Sequence, residues 1–242
     1  RDFDLFDLAL VFFPAMMFLV TPVVEALLAE SPDTSGAASD EQSTNVLGLL
    51  VSIGYFAFVG IMTYGLIAWV RNRPVVSLFG LRRLGVASIV AYSILGGAVS
   101  LFVCGWLVGE WTNQFLIGIF GELDVQEPVK MLQESDSAVH LVLSIVLACI
   151  AAPLVEELLF RGYMYNTLRS LTHPVFAAVV VAALFGVVHG NLPALLPLSA
   201  FSILLSCAYE WTKCLWVPVG MHAFFNAANI ALMMMPGADQ PQ

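Results

Sequence analysis

Apolar residues run through the chain in blocks at 5–28, 46–70, 86–108, 138–160, 174–192, 193–210 and 215–235. About 20 predominantly apolar residues are what a helix needs to cross a bilayer core. The pattern predicts an all-α, polytopic transmembrane bundle of seven spans, or eight, forming a single integral membrane domain over 1–242. Two stretches interrupt it. Residues 30–45 are polar and acidic, hold no Lys or Arg, and predict a mobile loop. Residues 109–137 interleave Trp111, Phe115, Ile119 and Phe120 with Glu110, Glu122, Asp124 and Glu127, which predicts an interfacial segment and then a loop.

Composition agrees. The 242 residues are 60% hydrophobic and 11% charged, whereas a soluble domain is about a quarter charged. The formal net charge of -9 argues against nucleic acid, which requires a basic face. The first block carries Asp4 and Asp7 and is too long for a signal-peptide core, so it reads as a span. Cys104, Cys149, Cys207 and Cys214 form no CxxC pair, and three fall in apolar spans, so they read as packed free thiols.

Charge placement gives an orientation. Arg71, Arg73, Arg82 and Arg83 cluster between the second and third spans, which places that connection in the cytoplasm and the 30–45 loop outside. The 109–137 stretch, with Lys130 alone, then faces outward. Arg161, Arg169 and Lys213 return to the cytoplasmic side. The amino end is inside, and with seven spans the carboxyl end is outside.

Against this background, ionisable residues inside apolar runs carry the chemical signal, because charge at membrane depth is expensive. Glu156 and Glu157 are adjacent in Ala152–Tyr163, with Arg161 four residues after Glu157 and on the same helical face. Glu156 lies about 100° around the helix with no basic residue three or four places away. One carboxylate reads as paired and the other as free. Further on, His189 closes an apolar run one turn after Phe185, and His222 and Asn226 share a helical face.

Glu156 and His189 lie symmetrically about the turn at Thr172-His173-Pro174, so an antiparallel hairpin sets them at equal depth. For His222 to join them, the Glu156 helix must run on past the bilayer. The His189 helix must break at Gly190-Asn191-Leu192-Pro193 within the membrane, which is tolerated only beside protein or a wet cavity. The sequence therefore predicts a water-accessible cavity near the cytoplasmic face.

These groups suit amide hydrolysis by water. Glu156, with His189, can take a proton as general base, and His222 and Asn226 can donate to the oxyanion. No serine or cysteine accompanies them at motif spacing. Zinc is the alternative, with Glu156, His189 and His222 as ligands and an open fourth position, although no His-Glu-x-x-His is present and three helices would supply the ligands.

Glu156-Glu157-x-x-x-Arg161, Phe185-x-x-x-His189 and His222-x-x-x-Asn226, with the flanking Tyr209-Glu210-Trp211-x-x-x-Leu215-Trp216-x-Pro218, resemble the three-motif signature of the CPBP family. This is the CAAX protease and bacteriocin-processing (Abi) group, which includes the Ras-converting CAAX endopeptidases. The resemblance covers a core of 138–235. It implies an intramembrane endopeptidase in which Glu156 activates water and His189 assists. It assigns His222 and Asn226 to the oxyanion, with Glu157, Arg161 and Phe185 in support. Members were first classed as metalloproteases before a glutamate-driven, metal-independent mechanism was favoured, so no cofactor is expected. The implied partners are the bilayer and a membrane-tethered or prenylated peptide substrate.

Plainer readings compete. A buried Glu157–Arg161 pair is commonly structural, and a membrane histidine commonly bonds helix to helix. The whole cavity could serve a scaffold or immunity protein that binds a partner helix. Proton-coupled transport is less favoured, since no inverted repeat is apparent. His140 and His173 match no motif and read as interfacial, and Met233, Met234 and Met235 as lipid-facing filler. Glu25 has no assigned role.

Overall fold

The computed structural model describes residues 3–29, 38–121 and 137–235, with side chains described over 3–18, 46–121 and 137–235. Among these residues every regular element is helical. Helix α1 is Leu5–Ala29, and α2 is Ala38–Gly65 continued by a wider-turn stretch, Leu66–Val70. A short α3, Val75–Leu78, leads into α4, Val86–Phe120. Then come α5, Ala138–Leu171, α6, Pro174–Val188, α7, Leu192–Thr212, and α8, Trp216–Met233.

Four of these are long and apolar enough to cross a membrane: Val46–Val70, Val86–Phe120, Ala138–Leu171 and Leu192–Thr212. Leu5–Phe18 and Pro174–Val188 are apolar but shorter. Helix α8 has the length of a span, yet it carries His222, Asn226 and Asn229, which lower its hydropathy. The surface is that of a membrane bundle. Trp69, Val86, Phe102, Trp106 and Trp211 point outward, while Glu156, Glu157, Arg161, Ser202 and His222 are buried. Lipid tails cannot drive apolar faces together, so polar contacts and close approach must hold such helices.

Two expectations need adjusting. Residues 109–120 continue α4 as one helix instead of beginning a separate segment; Glu110, Thr112 and Gln114 end the apolar run without ending the helix. Part of the polar stretch 30–45 is helical, since α2 begins at Ala38. The remainder of that stretch, 30–37, and residues 122–136 lie outside the described residues, as does the side chain of Glu25.

Other expectations hold. Helix α5 runs ten residues beyond Arg161, to Leu171, and α6 and α7 are separated by a break at His189-Gly190-Asn191. Gly190 takes φ +62°, the left-handed value glycine allows at a helix end. Asn191 then caps α7 by accepting from the Ala194 N–H at 2.9 Å, with Pro193 in the first turn. His173 caps α6 in the same way, accepting from the Val175 N–H at 3.3 Å. The four cysteines are free as expected, but Cys207 is exposed, so it is not a packed thiol.

Two contacts position the site. Helix α8 lies so close to α4 that a Cβ on Gly96 would sit 2.7 Å from the Met221 sulfur, and one on Gly220 would collide with Ser93. At the start of the chain, Asp7 is buried and accepts from Arg71 Nε at 2.8 Å and from the Tyr163 hydroxyl at 3.2 Å. That triangle ties α1 to the end of α2 and to α5.

Candidate active site

Helix α5 supplies two carboxylates and a guanidinium. Pro153 lacks an N–H, so it cannot donate the usual bond one turn back, and the preceding turn, Leu147–Ala151, is widened to a π-helical form. A second wide stretch, Leu158–Tyr165, begins just after Glu157 and carries Arg161. Such turns gather at functional sites.

The pairing read from the sequence is present. Arg161 Nη1 donates to Glu157 Oε1 at 2.7 Å with both side chains fully buried. Arg161 Nη2 donates to the Ser202 hydroxyl at 2.7 Å and to the Ser202 carbonyl at 3.1 Å, which fastens α5 to α7. The Phe185 ring lies 4.8 Å from the guanidinium carbon, a cation–π contact from α6.

His222 joins this cluster from α8. Its Nδ1 lies 2.9 Å from Glu157 Oε1. A carboxylate oxygen that already accepts from Arg161 is an acceptor only, so Nδ1 carries the hydrogen and donates. The opposite nitrogen, Nε2, faces Glu156 Oε2 at 3.9 Å. Rings of Phe185 and Phe201 flank the imidazole at 5.8 and 5.3 Å between centroids. Its orientation is therefore fixed from three sides.

Among the described residues Glu157 Oε2 and Arg161 Nε have no hydrogen-bond partner, but both side chains are held through their other polar atoms, whereas Glu156 makes no such bond. It is 6% exposed, and its Oε2 has no hydrogen-bond partner. A buried carboxylate oxygen left without a donor is costly, and each such case calls for a reason.

His189 and Asn226 stand at the edges. His189 is the residue just after α6, with an exposed side chain, and its Nδ1 lies 2.6 Å from the Phe185 carbonyl. That carbonyl is an orphan acceptor at a helix end, so Nδ1 donates and Nε2 is the free nitrogen. His189 is linked to the cluster through the Phe185 ring, 4.8 Å away, and not through a hydrogen bond to Glu156. The Asn226 amide donates to the Ala148 carbonyl at 2.7 Å, tying α8 to α5 and leaving its second N–H free of that bond.

Among the described residues no group of three His, Cys, Asp or Glu side chains stands close enough to hold a metal ion. The alternative zinc set of Glu156, His189 and His222 does not come together as ligands, since Glu156 and His222 approach while His189 remains at the end of α6.

The sequence did not point to Ser202, Phe201 or the Ala148 carbonyl. A serine, a phenylalanine and a backbone oxygen in apolar helices carry no chemical mark of their own. Only their placement against Arg161, His222 and Asn226 gives them a part.

Residues 138–228, which include every candidate site residue, match the family model described as type II CAAX prenyl endopeptidase Rce1-like. The chain is also 25% identical over 201 residues to the "Putative membrane peptidase YdiL" of Bacillus subtilis (strain 168), across 83% of this chain and 78% of that protein. No solved structure gives a significant match. Over 138–228, and through the motifs set out there, the chain is similar to the Rce1-like CAAX proteases.

Proposed function

We propose that the chain is an intramembrane endopeptidase that hydrolyses a peptide bond of a membrane-tethered substrate with a water activated by Glu156. The supporting observation is the unpartnered, buried Glu156 Oε2 set 3.9 Å from His222 Nε2. One water at about 2.8 Å from each atom spans that separation with ordinary hydrogen bonds.

In this reading Glu156 takes a proton from the water as the hydroxyl oxygen bonds to the scissile carbonyl carbon. The oxyanion accepts hydrogen bonds from His222 Nε2 and the second N–H of Asn226. For Nε2 to donate while Nδ1–H is given to Glu157, His222 must be the imidazolium. Glu157 lies against Nδ1, and Arg161 holds Glu157. The carbon–nitrogen bond then breaks, and the proton on Glu156 goes to the departing amine. His189, with Nε2 free, assists as a second base. Phe185 supports the site by packing against His189, His222 and Arg161.

A prenylated CAAX-type peptide is the substrate class that the family description favours. The basic end of the bundle is read as cytoplasmic, with the amino end on that side and the site opening toward it. Mass analysis of products from matched farnesylated and unprenylated CAAX peptides, incubated with the protein in liposomes, tests this. A single cut after the farnesylated cysteine, absent or slow without the lipid, is the expected result. Equal cleavage of both peptides removes the prenyl assignment, and cleavage of neither removes the CAAX substrate class.

A further inference from the structure

At the basic end, away from Glu156, the helices enclose a cavity of about 640 Å³ whose wall includes Arg83, Asn166, Arg169, Ser170, Tyr209 and Lys213. Asn166 lies ten residues beyond Glu156 on α5, about 15 Å along the helix axis, so this is a separate space. Three cations face it, and among the described residues no Asp or Glu belongs to its wall.

The charges are held in place. Glu210, behind the wall, accepts from Arg169 Nε at 3.1 Å, from the Tyr165 hydroxyl at 2.9 Å, and from Lys213 Nζ. One carboxylate thus orients two cations without neutralising both. Arg83 is exposed and forms no ion pair among the described residues. The Tyr209 hydroxyl accepts from Asn166 Nδ2 at 2.9 Å, and its own proton finds no acceptor among the described residues, although the residue is 3% exposed. It is a buried donor in a cationic wall.

The backbone fixes this end as well. The Leu215 N–H donates to the Phe79 carbonyl at 3.0 Å. Gly80, at φ +61°, passes so near the Lys213 carbonyl that a Cβ would collide with it. The turn that carries Arg83 is therefore locked against the α7–α8 turn that carries Lys213. The depth is defined by Trp69 and Trp211, 76% and 75% exposed and each two residues from Arg71 or Lys213. Exposed tryptophans at span ends sit at headgroup level.

We propose that this cavity binds a phosphate group, held by Arg83, Arg169 and Lys213 with the Tyr209 hydroxyl as a further donor. Phospholipid headgroups present that group at this depth, and basic pockets between membrane helices are suited to it. Free phosphate offers the same chemistry. The inference stands apart from the peptidase reading and does not require the side of the membrane to be known.

The test is native mass spectrometry of the whole protein, released from micelles that contain phosphatidylglycerol and phosphatidylcholine. Retention of phosphatidylglycerol over phosphatidylcholine is expected, with Arg83→Gln weakening it roughly fivefold, the scale of one cation near an anionic surface. Arg83 is exposed and outside the packed interior, so this variant keeps the fold. Arg82→Gln, next in sequence but outside the cavity wall, is expected to leave retention unchanged. Displacement of the lipid by inorganic phosphate makes free phosphate a sufficient ligand. Failure of phosphate to displace it, with Arg83→Gln still weakening retention, assigns the site to lipid phosphate. Absence of any preference in the parent, or equal losses for Arg82→Gln and Arg83→Gln, overturns the proposal.

Discussion

His222 Nδ1 lies 2.9 Å from Glu157 Oε1, the same oxygen that Arg161 holds at 2.7 Å. The second carboxylate of the motif therefore accepts from two donors at once, and it sets which nitrogen of His222 is left for Glu156. With Glu156 ionised and His222 an imidazolium, the four buried groups balance as two negative and two positive charges. Each buried charge then has an opposite neighbour, which the low dielectric of a bundle interior demands.

Glu157→Gln tests that arrangement. Breaking a buried ion pair on one side costs about 3–5 kcal/mol, so denaturation in mixed micelles is expected at markedly lower denaturant. Peptidase activity should fall with it, because a glutamine amide can turn either a donor or an acceptor toward Nδ1 and no longer fixes which nitrogen faces Glu156. Glu157→Asp, which keeps the charge, should recover part of both. Equal activity of the Gln and Asp variants would separate Glu157 from the state of His222.

Ser202→Ala removes the hydroxyl that accepts from Arg161 Nη2 at 2.7 Å. A hydrogen bond to a charged group contributes about 1.5–3 kcal/mol, and the Ser202 carbonyl remains as a second acceptor. A loss near the lower figure is expected in the same unfolding measurement, with peptide cleavage reduced less than in Glu157→Gln. No loss of stability would mean that Arg161 is held adequately by Glu157 and Phe185.

Gly220→Val acts through packing. The added side chain meets Ser93 of α4, and overpacking of this kind costs about 1–3 kcal/mol. Helix α8 must shift, taking His222 with it, so kcat should fall more than KM rises. A variant with parental kinetics would show that α8 tolerates movement without disturbing His222.

Prolonged dialysis against a chelator is expected to leave cleavage intact, since Glu156, His189 and His222 are not assembled as three ligands. Loss of activity, restored by zinc and by no other divalent ion, would contradict this and return the metal reading.

The sequence carried the parts of the site that depend on local geometry. Spacing of four placed Glu157 with Arg161, and the lack of a basic neighbour marked Glu156 as free. Gly190, Asn191 and Pro193 located the helix break through their known roles at helix ends. What it could not carry was the meeting of distant helices. Phe185 read only as a ring one turn before His189, whereas it also touches Phe160, Arg161 and His222. The bond from His222 to Glu157, 65 residues away, depends on how closely Gly96 and Gly220 let α4 and α8 approach. The continuation of α4 through Glu110–Gln114 was also hidden, because hydropathy reports where a span loses its apolar character and not where a helix stops.

The central claim is that Glu156 activates the water. The most direct measurement is cleavage of a fluorogenic farnesylated CAAX peptide by the parent protein in liposomes, beside Glu156→Ala purified and reconstituted in the same way. Cleavage by the parent is predicted, with a loss of at least about a hundredfold in the variant, the scale of a general base. Equal cleavage by the two proteins would contradict the account.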